Sequence, residues 1–188
     1  MIAASALRHF RRVNIETFDK ILSKVLTDCL PGDIIALRKV YEGGNMSIPI
    51  NIDDLINQRV VESTRIEFKS DWNPNPIIHS ICAFANDIDN VGGGYIIIGV
   101  EEENGSPVFP VKGIKQDRID GILKELIGFC HCIEPLYNPV VEPVLFQGVY
   151  IIVVWITGGY GRPYKASKDV FTEKSNKLYY IRKFSSTI

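Results

Sequence analysis

The sequence predicts an α+β domain that contains a mixed β-sheet with flanking helices. Segments with helical periodicity alternate with segments typical of strands over most of the chain, as a mixed sheet requires. Tyr95–Glu101 is an almost uninterrupted apolar run and therefore predicts a central strand buried on both faces. Two further strands meet at Gln147-Gly148, a pair that favours a tight hairpin. With 188 residues, 46% of them hydrophobic, the chain can bury one sizeable core.

The first 45 residues are predicted to be separate from this domain. Asn14 can cap an amphipathic helix over Ile15–Leu26, which Pro31-Gly32 ends. Residues 42–46 (Glu-Gly-Gly-Asn-Met) then form a loop by composition, and the codons for these residues can include a ribosome-binding sequence and a start codon. We therefore expect a helical extension over residues 1–45, upstream of a native start at Met46, and the main domain over residues 46–188.

Each further element follows from periodicity and turn residues. In the strand Thr64–Lys69, charged side chains alternate with apolar ones, so one side faces the core. Gly92, Gly93 and Gly94 predict a tight turn into the central strand. The remaining predicted elements are helices at Ile52–Gln58, from Ile77 to about Asn86 and at Asp117–Phe129, and strands at Val140–Phe146, Val149–Thr157 and Leu178–Arg182.

Composition argues against secretion and against a membrane protein. No run of about 18 apolar residues occurs, and the N-terminus lacks the apolar stretch and cleavage site of a secretory signal. The four cysteines, at positions 29, 82, 130 and 132, are too few for a disulfide framework. Cys130-His131-Cys132 is a poor template for tetrahedral zinc, so buried thiols are the prediction there. A cytoplasmic protein is expected.

Charge is unevenly distributed along the chain. Residues 50–145 contain 15 acids and 7 bases, a net charge of −8, whereas residues 146–188 contain 7 bases and 2 acids, a net charge of +5. A basic segment of this kind is either a solvated surface or a phosphate-binding face. Tyrosines are interleaved with these bases and offer stacking faces for unpaired bases. The basic residues of the segment are Arg162, Lys165, Lys168, Lys174, Lys177, Arg182 and Lys183.

Several blocks of sequence together resemble the Schlafen Alba-like domain family over about residues 50–188. They are Glu62–Lys69, Ala83–Asn86 with Gly92–Glu101, Pro163-Tyr164 and Tyr179–Arg182. The segment at residues 87–91 has five residues where the family usually has two or three, which predicts a longer loop. The family is found at the N-terminus of predicted bacterial transcriptional regulators and in the core of animal Schlafen proteins. The resemblance therefore implies a nucleic-acid-binding module followed by a C-terminal regulatory region outside this chain.

Three carboxylates raise a catalytic alternative. Glu62, Glu67 and Glu101 (or Glu102) match positions that, in animal Schlafen nucleases, support a metal-dependent endoribonuclease, although glutamate replaces the usual aspartate at the third. Converging on one sheet edge, they would suit Mg²⁺ or Mn²⁺, which could activate water against a phosphodiester. In the opposing interpretation Glu67 pairs with Arg65, Lys69 or Arg182, and residues 101–103 are a solvated turn.

We predict a DNA- or RNA-binding domain of a transcriptional regulator, with no certain cofactor and no membrane partner. Alternatives are the endoribonuclease, the ATP binding implied by a divergent-ATPase label on some relatives, and a protein-interaction domain that forms a homodimer. The chain has no phosphate loop that would support ATP binding, because Gly92, Gly93 and Gly94 precede a predicted strand instead of a helix. The predicted nucleic-acid contacts are Arg65, Lys69, Arg162, Lys165, Lys168, Tyr180, Arg182 and Lys183.

Overall fold

The computed structural model of the protein describes residue 48, residues 50–57 and residues 65–188. The predicted N-terminal helix and Glu62 lie outside these residues. The helices are α1 (Ile52–Asn57), α2 (Pro74–Asn86) and α3 (Gln116–Cys130). The strands are β1 (Ile66–Lys69), β2 (Gly94–Ile98), β3 (Glu102–Glu103), β4 (Ser106–Pro107), β5 (Ile133–Glu134), β6 (Val140–Phe146), β7 (Val149–Ile156), β8 (Lys165–Ser167), β9 (Lys177–Tyr179), β10 (Arg182–Lys183) and β11 (Ser186–Thr187).

A mixed four-stranded sheet with the order β1-β2-β7-β6 forms the centre of the fold, which confirms the predicted α+β class. Strands β1 and β2 are parallel and α2 connects them, because parallel neighbours need a crossover. Helix α2 begins at Pro74, three residues before the predicted start, where a proline in the first turn has no hydrogen bond to lose. Helix α3 matches its prediction to within one residue at each end.

The hydrophobic core lies between the central sheet and helices α2 and α3. Ile77 and Ile81 of α2 are fully buried against Ile96 of β2 and Val154 of β7, and Leu126 of α3 joins the same cluster. Burying such a side chain stabilises the fold by about 1.5–3 kcal/mol. All five residues of β2 are buried, as predicted for a central strand.

Strand β2 ends three residues earlier than predicted. Gly99 has a φ of 102°, a conformation that favours glycine. The Lys69 carbonyl accepts hydrogen bonds from the N–H groups of Gly99 (2.7 Å) and Val100 (3.1 Å), which turns the chain out of the sheet. Glu101 therefore follows the strand instead of ending it.

The predicted hairpin is confirmed. Gln147 and Gly148 connect β6 to β7, and both have positive φ angles (47° and 84°), as the favoured two-residue hairpin turn requires. Pro143 lies in β6, an edge strand, where a proline costs the sheet least.

The predicted last strand is two strands in the structure. Residues Lys177–Tyr179 form β9 at the edge of a second sheet with the order β5-β8-β9, whereas β10 pairs with β11 in a separate hairpin. The break is at Tyr180. Its ring stacks on His79 with 4.1 Å between the ring centroids, and its carbonyl accepts a hydrogen bond from the Asn86 amide at 2.8 Å. These contacts with α2 draw the chain away from β8.

Candidate nucleic-acid interface

Glu67 is the centre of a buried ion-pair cluster at the edge of the central sheet. It pairs in register with Ile96, so its side chain lies on the sheet face that α2 covers. Only 6% of the residue is exposed, and its carboxylate contacts both Lys69 and Arg182. The ion-pair interpretation of Glu67 is therefore the one that the structure shows.

Arg182 is buried too, which corrects its prediction as a phosphate contact. It is 5% exposed, and its guanidinium also donates a hydrogen bond to the Ile66 carbonyl at 3.1 Å and lies 5.2 Å from the centre of the Phe84 ring. The guanidinium holds the C-terminal hairpin against β1 and α2. Lys69 is partly exposed but shares the Glu67 carboxylate.

The other predicted carboxylates do not join Glu67 within the described residues. Glu101 is exposed and pairs with Lys112 at 3.2 Å. Glu102 accepts a hydrogen bond from the Gly105 N–H and stabilises the β3–β4 turn. Glu62 lies outside the described residues. In the part of the chain that the structure describes, no three His, Cys, Asp or Glu side chains form a group suited to a metal ion. The described carboxylates therefore do not form a site for Mg²⁺ or Mn²⁺.

Asn86 at the end of α2 connects the sequence blocks that carry the resemblance. Its amide oxygen accepts a hydrogen bond from the Tyr164 N–H (2.7 Å), and its amide nitrogen donates to the carbonyls of Tyr164 (2.9 Å) and Tyr180 (2.8 Å). Asn86 is buried, so each of these bonds satisfies a backbone group that has little access to water. One side chain thereby fixes the start of β8 and the end of β9 against α2.

The glycines before β2 have a structural role. Gly92 and Gly93 have φ angles of 92° and 77°. A Cβ at Gly94 would overlap with the Phe84 ring and lie 2.6 Å from the Arg65 carbonyl oxygen. The glycines thus turn the chain and let β2 pass close to α2, as the sequence predicted.

Arg162 and Arg65, two predicted nucleic-acid contacts, each donate a hydrogen bond to the loop at residues 87–93. Asp87 ends α2 in the left-handed conformation, and its carboxylate accepts hydrogen bonds from the N–H groups of Val91 and Gly92. Arg162 donates to the Asp87 carbonyl at 3.0 Å, while 39% of its side chain stays exposed. Arg65 is exposed and donates to the Gly93 carbonyl at 3.4 Å.

Lys183, also predicted, is exposed at the start of the same hairpin as Arg182. Its Nζ lies 3.7 Å from an Asp89 carboxylate oxygen. This exposed pair stabilises the protein by at most about 1 kcal/mol, so Lys183 can exchange its partner at little cost.

The second sheet presents an outer face that combines lysines with an exposed tyrosine. Its inner face contributes Ile133 and Ala166 to the core. On the other face Lys165 lies between Glu134 and Tyr179 in register, with its Nζ 4.9 Å from the centre of the Tyr179 ring. We call this outer face, together with the β8–β9 connection at residues 168–176, the basic surface. Its lysines and its exposed tyrosine are Lys165, Lys168, Lys174, Lys177 and Tyr179.

Three of the four lysines of the basic surface have no ion-pair partner among the described residues. Lys177 pairs with Glu134 at 2.9 Å, and this contact, followed by the charge of Lys165, lowers the pKa of the Glu134 carboxyl. Among the described residues, no carboxylate lies within 4.0 Å of the ammonium groups of Lys165, Lys168 or Lys174. The nearby Asp169 carboxylate is engaged by its own turn, since it accepts hydrogen bonds from the Thr172 hydroxyl and the Phe171 N–H.

Of the two tyrosines that follow Leu178, Tyr179 is the exposed one, whereas the predicted contact Tyr180 is partly buried. Tyr179 is 56% exposed, whereas Tyr180 is half-buried on His79, and burial raises the pKa of the Tyr180 phenol. Alternation along a strand requires one of two successive residues to face inward, but it does not say which. The Asn86 hydrogen bond to the Tyr180 carbonyl decides this.

The chain is similar to one protein family and to solved structures of other proteins. Residues 62–188 match the family described as Schlafen, AlbA_2. The chain is similar to the N-terminal domain of a Nitrosomonas europaea protein described as related to the ATP-dependent DNA helicase RecG, with 24% identity, a TM-score of 0.48 and coverage of 68% of this chain and 80% of that one. It is also similar to the DIP2311 protein of Corynebacterium diphtheriae, with 16% identity, a TM-score of 0.45 and coverage of 68% of this chain and 25% of that one. No curated protein matches.

Within the described residues, no helix is both long enough and apolar enough to cross a membrane. The family match begins four residues before β1 and continues to residue 188. It covers the central sheet, α2, α3 and the basic surface, and it spans well over half of the sequence. The chain therefore belongs to the Schlafen AlbA_2 family.

Proposed function

We propose that this protein binds nucleic acid through the basic surface, as the DNA- or RNA-contacting module of a regulatory protein. The observation that supports the proposal most directly is the set of three lysines, Lys165, Lys168 and Lys174, with no carboxylate within ion-pair distance in the described part of the chain. Lysines that have no ion-pair partner in the protein can neutralise phosphates without first breaking an ion pair. The net charge of −1 does not oppose this, because a local field decides phosphate binding.

The proposal predicts a specific salt dependence. If the three lysines each neutralise one phosphate, the logarithm of the association constant should fall with the logarithm of the salt concentration with a slope of about −2 for a single strand and about −3 for duplex DNA. Fluorescence anisotropy with labelled 20-nucleotide DNA and RNA, single-stranded and duplex, at three salt concentrations measures this slope. A chelator in the buffer keeps binding separate from any metal-dependent cleavage.

A pair of double variants tests the location of the surface. Lys168→Gln with Lys174→Gln removes two charges from the basic surface and should make the slope shallower by about 1.4–1.8. The matched control, Lys115→Gln with Lys124→Gln, changes the net charge equally but alters the start and the exposed side of α3. Equal losses in both variants, or no loss in either, would show that this surface is not the binding site.

Glu134→Gln provides a test in the opposite direction. It removes the carboxylate that holds Lys177, so affinity should increase and the slope should steepen by about 0.7–0.9 as a fourth lysine becomes available. Glu101→Gln, which frees Lys112 outside this surface, should leave both quantities unchanged. Unchanged affinity in Glu134→Gln would place Lys177 outside the contact area.

A further inference from the structure

Two exposed tyrosines, Tyr179 and Tyr160, lie in or next to the second sheet. Tyr179 lies on the edge strand β9, opposite Lys165 and two residues after Lys177, so the three side chains share the outer face. Tyr160 is fully exposed in the connection between β7 and β8. Single exposed rings on a protein surface need no explanation in themselves. The contact of Tyr179 with Lys165 distinguishes this ring from a single exposed side chain.

The loop around Tyr160 is fixed on both sides, although the ring itself is free in solvent. The Gly159 N–H donates to the Ala85 carbonyl at 2.8 Å, and the Gly161 N–H donates to the Tyr164 hydroxyl at 3.0 Å. A Cβ at Gly159 would overlap with the Tyr164 ring, so the loop backbone packs directly on that ring. A ring on a backbone already held in place loses little conformational entropy when a ligand stacks on it.

The Tyr160 loop and Tyr179 lie at two margins of the β5-β8-β9 sheet. A Cβ at Gly161 would lie 3.6 Å from Pro135, which directly follows β5, whereas Tyr179 belongs to β9. The two outer strands of a three-stranded sheet are about 10 Å apart, with Lys165 of β8 between them. Tyr179 therefore shares the outer face with Lys165, and the loop that contains Tyr160 lies beside the end of β5.

We infer that the ligand of the basic surface is a single-stranded polynucleotide whose unpaired bases stack on Tyr179 and Tyr160. The inference rests on the proposed function and specifies its ligand. In a duplex the faces of the bases are covered by their neighbours, so the rings would add nothing to phosphate contacts. Base stacking on aromatic side chains is tolerant of sequence and is shared by DNA and RNA, so the inference concerns strandedness.

Anisotropy titrations on the full chain test the inference. Single-stranded DNA and RNA should bind more tightly than duplexes of the same sequence. Tyr179→Leu and Tyr160→Leu should each weaken single-strand binding by about 5- to 100-fold and leave duplex binding unchanged, whereas Tyr179→Phe should stay within about 2-fold of wild type because the ring is kept. Phe184→Leu, an exposed ring in the β10–β11 turn, is the matched control and should have no effect.

An oligonucleotide of abasic sites separates stacking from charge, since it has the phosphates without the bases. It should bind more weakly than the normal strand, and Tyr179→Leu should not weaken it further. Duplex binding as tight as single-strand binding, together with unaffected tyrosine variants, would overturn this inference and leave the proposed function intact. Absence of binding to every polynucleotide would overturn both.

Discussion

Replacing Glu67 by glutamine is expected to destabilise the protein by about 3 kcal/mol. Removing one partner of a buried ion pair generally costs about 3–5 kcal/mol, because the other charge stays buried without compensation. The lower end applies here, since the Arg182 guanidinium keeps its hydrogen bonds to the Ile66 carbonyl and, at 3.3 Å, to the Thr187 hydroxyl. Lys69 is partly exposed and can turn towards water.

The free energy of unfolding in urea and the thermal midpoint measure this effect. For a chain of 188 residues, 3 kcal/mol corresponds to a fall of about 6–12 °C in the midpoint. Glu101→Gln is the matched control, because it makes the same chemical change in an exposed pair and should alter stability by less than about 1 kcal/mol. The double variant Glu67→Gln with Arg182→Met should be more stable than the sum of the single variants predicts, since neither charge remains buried alone.

Equal stability of Glu67→Gln and Glu101→Gln would refute the buried-pair argument. The experiment also affects the nuclease alternative, in which the Glu67 carboxylate would hold the metal ion. A loss of cleavage in this variant is interpretable only if the protein is still folded at the assay temperature.

Three further outcomes follow from contacts in the core. Gly94→Ala should destabilise the protein by more than about 2 kcal/mol in urea unfolding because of overlap with Phe84, whereas Gly121→Ala, with no atom within 4 Å of the new Cβ, should stabilise α3 by about 0.5–1 kcal/mol. Asn86→Ala should cost at least about 3 kcal/mol in the same assay, because it leaves three backbone groups without their hydrogen bonds. Burial raises the pKa of the Cys82 thiol from 9.0 to about 11. Alkylation of the native protein at pH 8 should therefore be slow, and the free energy of unfolding should fall as the pH rises from about 9 to 11, because the thiol ionises first in the unfolded chain. Rapid alkylation of the native protein would contradict this burial.

The regular elements could be predicted because their signals are local. The apolar spacing of α3, the strand-forming segments of β6 and β7 and the Gln147-Gly148 turn each act within a few residues, and the structure agrees with them closely. The need for glycine at Gly94 was visible as a turn signal. The second reason for glycine at this position is the close approach of Phe84. This approach depends on the packing of α2 against β2 and could not be seen in the sequence.

The composition and order of the chain determined the fold class, the family and the basic character of the C-terminal segment, since periodicity, motif order and charge are properties of the sequence. Only the tertiary structure decided which basic and aromatic residues face solvent. Arg182 is separated by 115 positions from the Glu67 carboxylate that it contacts, and Tyr180 by 94 from the Asn86 amide that draws it out of the sheet. Exposure of a side chain depends on such distant partners, and local patterns contain no information about them.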